Sequence, residues 1–148
     1  RLFLGDMGTY GAGCAVALYS LVGFNLGSFS LMFLAALFAY PCIDFLVSIG
    51  RRLLQGRSPF SPDNDYLHNR IYFHINKCLG PGVLANSLTG LLISGSTSGV
   101  VLLGYSQQWW PISSNEWGTV FIVQIVAYFA AFYLIGRGRG ISQYAEAI

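Results

Sequence analysis

The stretch of sequence that decides the fold runs from residue 118 to residue 135 and reads GTVFIVQIVAYFAAFYLI. It contains no charged side chain, and a membrane-spanning helix needs about 20 mostly apolar residues. Three further apolar stretches free of Lys, Arg and Glu lie at about 7–26, 29–49 and 83–104. Together they predict an all-α, polytopic membrane helical bundle with about four transmembrane helices.

Composition agrees with this fold class. Of the 148 residues, 54% are hydrophobic and 9% are charged, against about 25% charged residues in an ordinary soluble domain. A free-standing soluble globule and a disordered chain are both excluded, because disordered segments are poor in apolar residues and rich in charge. The net charge is only +2, with no basic stripe, so no nucleic-acid partner is expected.

The positions of Lys and Arg predict the orientation in the membrane. Four crossings place Arg1, the loop at 50–80 and the tail after residue 136 on one side, and these segments carry all eight cations. We expect that side, with both chain ends, to be cytoplasmic. The opposite side carries three tryptophans whose rings are typical of the lipid headgroup boundary, namely Trp109, Trp110 and Trp117.

Gly95 and Gly99 in the third stretch match the GxxxG spacing, which lets helix backbones approach closely. Tight packing within the chain and a homodimer contact both fit this spacing. The oligomeric state therefore stays open.

Two aspartates lie within or next to the apolar stretches, where ionisable residues are costly and are functional candidates. Asp6 lies in Gly5-Asp6-Met7-Gly8-Thr9, where it either caps the first helix or binds Mg²⁺ together with substrate phosphate oxygens. Asp44 follows Pro41, which permits a kink. A buried bond to a neighbouring helix and a direct role in a water-filled site are both open for Asp44.

The predicted cytoplasmic loop begins with a basic cluster of Arg51, Arg52 and Arg57, next to Ser58. A planar guanidinium such as that of Arg57 suits phosphate binding. A positive-inside loop lying on anionic lipid explains the arginines equally well.

An amphipathic helix is predicted from about Pro62 to Lys77, since Ser61 before Pro62 is typical of a helix N-terminus. At 100° per residue, one face of that helix carries Asp65, His68, Asn69 and Tyr72. Asp65 is then placed to fix the tautomer and orientation of His68.

Three segments resemble the polyprenyl-phosphate N-acetylhexosamine-1-phosphate transferases, relatives of the phospho-N-acetylmuramoyl-pentapeptide transferase of peptidoglycan synthesis. They are LFLGDMGTY at residues 2–10, PCID at 41–44 and RRLLQGRSPFSPDNDYLHNR at 51–70. In place of the family's His-x-His-His pattern this chain has Tyr66, Leu67, His68 and Asn69. This departure favours a surface-polysaccharide subgroup, such as the O-antigen lipopolysaccharide enzymes, over the peptidoglycan enzyme.

The resemblance implies a multi-pass enzyme of the bacterial cytoplasmic (inner) membrane that moves N-acetylhexosamine 1-phosphate from a UDP-sugar such as UDP-GlcNAc to polyprenyl (undecaprenyl) phosphate, releasing UMP. It implies Mg²⁺, or Mn²⁺ in its place, with Asp6 as a metal ligand and catalytic residue. His68 would be the second catalytic residue. The substrate-binding residues would be Arg51, Arg52, Arg57, Ser58, Asp65, Asn69 and Asp44.

Family members also have an N-terminal half with an Asp-Asp motif and an Asp-rich loop, to which nothing in residues 1–148 corresponds. We therefore expect the chain to be the C-terminal part of a single integral-membrane transferase domain and to be inactive alone. The competing class is a non-catalytic membrane protein, either a transporter half or a lipid-binding scaffold. Transporter halves usually show a repeat, and the sequence has none.

Overall fold

The structure, a computed structural model, describes residues 5–59, 65–80 and 82–136. Within these ranges the chain forms helices and no strand. The helices are α1 (Gly5–Asn25), α2 (Leu31–Leu37), α3 (Ala39–Leu54), α4 (Leu67–Leu79), α5 (Val83–Ser94), α6 (Val100–Ser106) and α7 (Trp117–Gly136). A π-helical turn, Gly95–Gly99, joins α5 to α6, so that Val83–Ser106 is one continuous helix.

Three helices of the described ranges are long and apolar enough to cross a membrane. They are Met7–Asn25, Val83–Ser106 and Trp117–Gly136, and they coincide with the first, third and fourth predicted spans. Large apolar side chains such as Ile122, Val123 and Val126 are exposed on the outside of the bundle. Such a surface is expected where lipid rather than water surrounds the helices, and the protein is a multi-pass membrane protein.

The second predicted span, 29–49, is not one straight helix. It is divided into α2 and α3, which are bent by 76° relative to each other, and the pair gives a fourth crossing only if it is counted as one broken span. The break lies at Phe38, whose φ of −103° and ψ of 19° leave the helical region. Pro41 is the cause, because a proline ring clashes with the carbonyl four residues earlier in a continuous helix.

The break leaves the carbonyl of Leu37 at the end of α2 without a helical partner. The Ser98 hydroxyl from the π-helical turn donates a hydrogen bond to it at 2.9 Å. An unsatisfied carbonyl is costly inside a membrane, where no water can replace the missing bond. The two irregular helix segments therefore face each other and are joined by this bond.

Trp117 anchors the packing of α2, α6 and α7. Its side chain is fully buried, its ring meets the edge of Phe33 at 5.4 Å, and its indole N–H donates to the Pro111 carbonyl at 2.9 Å. The indole satisfies its donor inside the protein and packs against aromatic rings, while the predicted headgroup depth of Trp117 stays a prediction. Trp109 remains half-exposed.

Ser30 caps the N-terminus of α2 and joins two connectors. Its buried hydroxyl accepts from the Phe33 N–H at 2.9 Å and donates to the Ser114 carbonyl at 2.6 Å. We expect Ser30→Ala to lower the free energy of unfolding by about 1–2 kcal/mol, since it removes a cap and leaves the partly buried Ser114 carbonyl without this donor. Denaturation in detergent measures this, with the exposed Ser28→Ala as the matched control. Equal losses in the two variants would contradict the assignment.

The two ends of the bundle differ in the elements that meet there. At one end the Ser30 N–H donates to the Ile112 carbonyl, which joins the connectors before α2 and before α7. At the other end, Arg70 of α4 donates to the Phe132 carbonyl near the end of α7. This arrangement agrees with the predicted threading, while the assignment of the second end to the cytoplasm stays a prediction.

The amphipathic helix begins later than predicted. Asp65 and Tyr66 are not helical, and α4 starts at Leu67 rather than at Pro62. Ser61 and Pro62 lie outside the described residues. The apolar face is confirmed, since Leu67 is buried and Ile71 packs beside it against α3 and α7.

The close helix packing predicted at Gly95 and Gly99 does not occur within the described part of the chain. Among those residues, a methyl group added to Gly95 would meet nothing within 4 Å, and one added to Gly99 would meet only the Ser94 carbonyl of its own helix. Close approach occurs instead at Gly104, against the Trp109 ring, and at Gly118, against Met32. The homodimer contact remains a prediction.

Candidate functional site

Asp44 is the centre of a buried hydrogen-bond cluster that joins three helices. Its side chain in α3 is 9% exposed. One carboxylate oxygen accepts from the Tyr128 hydroxyl of α7 at 2.6 Å and from the Leu67 N–H of α4 at 3.3 Å. The other oxygen lies 3.5 Å from the Tyr40 hydroxyl. Buried carboxylates need such donors, because water no longer solvates them.

Asp44 also caps α4 from outside that helix. The N-cap residue Tyr66 makes no capping bond with its own side chain. The carboxylate of Asp44 takes its place, since it accepts from Leu67, the first residue of α4, and a negative charge is stabilising near a helix N-terminus. Asp44 therefore forms the buried bond to a neighbouring helix that was one of its two predicted roles. Its other predicted role, direct binding of substrate, stays a prediction.

His68 is the second residue of α4 and is held by Tyr40. Its backbone N–H donates to the Tyr40 hydroxyl at 3.2 Å, and its ring Nδ1 lies 3.2 Å from the same oxygen. Nδ1 also lies 3.8 Å from the Asp44 carboxylate. The ring stacks on Tyr66, with 5.4 Å between centroids, and its side chain is 46% exposed. An imidazole fixed at one nitrogen and half-exposed is suited to contact a ligand.

Asp65 does not have the predicted place on the His68 face, because α4 begins two residues after it. Its carboxylate forms a bidentate pair with Arg70, at 2.6 and 2.8 Å, and lies 3.0 Å from Arg51 Nη1. Bidentate pairing of this kind fixes a guanidinium in one plane. The structure thus gives Asp65 a role in ordering two arginines, while the described partners of the His68 ring are Tyr40, Asp44 and Tyr66.

Arg70 ties the start of α4 to the end of α7. Its Nη1 donates to the Phe132 carbonyl at 3.2 Å, and its guanidinium lies 3.8 Å from the centroid of the Phe132 ring. The first contact pairs a backbone carbonyl close to the helix end, and the second is a cation–π interaction. Sequence reasoning counted Arg70 only as part of the basic loop.

The first two arginines of the predicted phosphate cluster are bound to the protein itself. Arg51 pairs with Asp65. Arg52 donates to the Pro59 carbonyl and to the Tyr66 hydroxyl, the latter at 3.0 Å. Arg52 therefore orders the loop after α3 and connects it to the residue that stacks on His68. Binding of substrate by Arg51 or Arg52 stays a prediction.

Arg57 and Ser58 lie on the turn that follows α3, and both are exposed. The Arg57 N–H returns to the Arg52 carbonyl at 2.8 Å, and Gly56 makes the turn possible with a φ of +67°. Asn69 is partly buried on α4. The turn therefore presents a guanidinium to solvent at the same end of the bundle as His68.

The described side chains do not form a metal site. No group of three His, Cys, Asp or Glu residues within the described ranges is arranged to hold a metal ion. Asp44 and Asp65 are already bonded to protein donors. Asp6 lies in the first turn of α1, and its side chain is outside the described set. The metal assignment of Asp6 therefore stays a prediction.

Two tyrosines complete the cluster and were not identified from the sequence. Tyr40 precedes Asp44 by one helical turn, so an i, i+4 pairing on α3 was a usable signal. Tyr128 lies 84 positions from Asp44, and no local pattern connects residues so far apart.

Part of the chain is similar to the decaprenyl-phosphate N-acetylglucosaminephosphotransferase of Mycobacterium leprae (strain TN). The two are 34% identical over 85 residues, which cover 48% of this chain and 21% of the relative. The chain thus spans about a fifth of the length of this relative. No protein-family model and no solved structure matches this chain.

Proposed function

We propose that the protein containing this chain transfers N-acetylhexosamine 1-phosphate from a UDP-sugar to a polyprenyl phosphate in the membrane, with release of UMP. The name of the mycobacterial relative supports polyprenyl-phosphate sugar phosphotransfer in general, and the motifs at residues 2–10 and 51–70 support the finer assignment. The observation that carries the proposal is the half-exposed His68, which is held by Tyr40 next to Asp44 at the end of the bundle where Arg57 is also exposed.

The proposed reaction exchanges one P–O bond for another. A phosphate oxygen of the polyprenyl phosphate attacks the phosphorus that carries the sugar. The bond from that phosphorus to the bridging oxygen breaks, and the electron pair leaves with UMP. Phosphoryl transfer of this kind depends mainly on positioning and on stabilisation of negative charge, so a fixed imidazole and a guanidinium are suitable groups.

The contacts around His68 support positioning in particular. Arg52 binds the Tyr66 hydroxyl, Tyr66 stacks on the His68 ring, and the ring contacts Tyr40. Groups held by such bonds need little reorganisation when charge develops, which is the main source of electrostatic catalysis. We propose that His68 and Arg57 contact the diphosphate and that Ser58 and Asn69 assist in binding it.

We propose that Asp6 is a ligand of Mg²⁺, or of Mn²⁺ in its place. Such an ion would bind diphosphate oxygens and offset their negative charge. Because Asp44 and Asp65 have protein donors, Asp6 is the carboxylate we propose for it. The Asp6→Asn variant tests this assignment.

The location and the product are also proposals. The basic end with Arg51, Arg52 and Arg57 would face the cytoplasm of a bacterial inner membrane, as positive-inside loops do. The lipid product would serve a surface polysaccharide such as O-antigen rather than peptidoglycan, because Tyr66 and Asn69 replace two histidines of the family pattern.

We expect His68→Ala to lower kcat for transfer about 100-fold, which is typical for loss of a positioned acid–base or charge-stabilising group. Stability should change little, since the ring is 46% exposed and the backbone bond to Tyr40 is retained. His74→Ala is the matched control, because His74 is an exposed histidine on the same helix. Equal activity in the two variants would remove His68 from the site.

Release of UMP tests the proposed function against a transporter half or a lipid-binding scaffold. Membranes containing the full-length protein are given several UDP-N-acetylhexosamines with and without polyprenyl phosphate. We expect UMP only when donor and lipid acceptor are both present. Lipid binding without any UMP release would favour the scaffold.

A further inference from the structure

A cavity of about 300 Å³ lies inside the bundle, between α3, α4, α5 and α7. Its walls are mainly apolar, with Ile43, Ile71, Ile93 and Ala127 among the lining residues. None of the described lining residues is charged. Its volume is at the lower end of the range of small-molecule sites, which are about 300–1,000 Å³ and mostly apolar with a few placed polar groups.

Gln124 of α7 is the placed polar group in this cavity. It lines the cavity and is 7% exposed. Its amide Nε2 donates to the Thr97 carbonyl in the π-helical turn at 3.1 Å, and this bond fixes which end of the amide carries the oxygen. The Oε1 atom is buried and has no hydrogen-bond partner among the residues that the structure describes. A buried acceptor left unpaired costs about 1–3 kcal/mol, so Oε1 favours a ligand that donates.

The other polar side chains of the cavity already donate hydrogen bonds within the protein. Four hydroxyl side chains line it, and each has a bond within the protein: Tyr40, Tyr128, Ser96 and Thr97. A buried water typically makes about three hydrogen bonds. Water at Gln124 could donate to Oε1 but would find no free hydroxyl proton to accept among the described lining residues. The site therefore suits a molecule with one donor and an apolar body.

We propose that this cavity binds a neutral, mainly hydrophobic molecule carrying a hydroxyl group, which donates a hydrogen bond to Gln124 Oε1. The hydrocarbon part of the ligand would fill the apolar walls. The cavity is partly open to the outside of the bundle, and Leu92, which lines it from α5, is 56% exposed. The π-helical turn next to Gln124 fits a binding role, because such turns are frequent at functional sites. The proposal does not depend on transferase activity.

Photolabelling of the full-length protein in lipid nanodiscs tests this site. The probes are a ten-carbon alcohol and a ten-carbon alkane, each with a diazirine on the chain, and mass spectrometry locates the label. We expect the alcohol to label peptides of α5 and α7 about tenfold more than the alkane, a ratio equivalent to one hydrogen bond. Excess unlabelled 1-decanol should compete, and decane should not. Equal labelling by the two probes would overturn the proposal.

Two variants distinguish the contribution of the Gln124 acceptor to binding from that of the cavity volume. Gln124→Met keeps the side-chain bulk but removes the acceptor, so the alcohol should lose its tenfold advantage. Ala127→Leu fills the cavity and leaves Gln124 in place, so labelling by both probes should fall. Gln107→Met is the matched control, because Gln107 is exposed in the connector after α6. An alcohol preference that survives Gln124→Met, or labelling unchanged by Ala127→Leu, would contradict the site.

Discussion

Replacing Asp44 with alanine is expected to lower the free energy of unfolding by about 3–5 kcal/mol. The variant leaves the Tyr128 hydroxyl and the Leu67 N–H buried without their acceptor, and each such donor costs about 1–3 kcal/mol. It also removes the negative charge at the N-terminus of α4, which adds to the loss. The measurement is reversible denaturation of the protein in detergent.

Tyr128→Phe is the matched control for Asp44→Ala. It removes one hydrogen bond but keeps the carboxylate that caps α4, so the expected loss is about 1 kcal/mol. Amide exchange adds a local readout: the Leu67 N–H should exchange much faster in Asp44→Ala and should stay protected in Tyr128→Phe. Protection of Leu67 in both variants would show that Asp44 does not cap α4.

Asp6→Asn is expected to lower sugar-phosphate transfer by about 1,000-fold while leaving membrane insertion intact. Loss of a metal ligand removes several kcal/mol of charge stabilisation, and about 4 kcal/mol corresponds to a factor of 1,000 in rate. Asparagine keeps the shape of the side chain and its capping ability. The variant therefore separates the metal role from the helix-cap role.

The control for Asp6→Asn is Glu116→Gln, which neutralises an exposed carboxylate at the opposite end of the bundle. It should leave transfer unchanged. A chelator should stop transfer by the unmodified protein, and added Mg²⁺ should restore it. Full activity of Asp6→Asn would return Asp6 to a capping role.

The membrane spans could be predicted because the signal is local. Hydropathy in a window of about 20 residues is sufficient to identify α1, the helix Val83–Ser106 and α7. The break between α2 and α3 was harder to place. Pro41 indicated a kink, but the bend lies at Phe38 because a proline displaces the carbonyl of the preceding turn.

Contacts between distant segments could not be predicted. Asp44 was identified as a candidate, but its partner Tyr128 lies 84 residues away on another helix. The prediction that Asp65 lies on the same helix face as His68 and orients its ring was wrong, because it assumed that the helix began at Pro62. The structure starts α4 at Leu67, where a carboxylate from α3 caps it. A cap supplied by a remote helix leaves no pattern in the neighbouring sequence.

Trp117 and Gln124 also make contacts with segments distant in the sequence. A tryptophan at the end of an apolar stretch is typical of the membrane boundary, but that pattern does not indicate that Trp117 packs against Phe33 and is fully buried. Gln124 is the one amide side chain of the apolar helix α7, and its bond to Thr97 depends on the π-helical turn of another helix.

The fate of the sugar-bearing phosphate tests the proposed function most directly. Membranes with the full-length protein are given polyprenyl phosphate and a UDP-N-acetylhexosamine labelled with ³²P at the phosphate next to the sugar. We predict that the label appears in the lipid fraction together with the sugar, while unlabelled UMP is released, and that His68→Ala slows both. Label that stays on the nucleotide, or sugar that reaches the lipid without it, would contradict sugar-phosphate transfer.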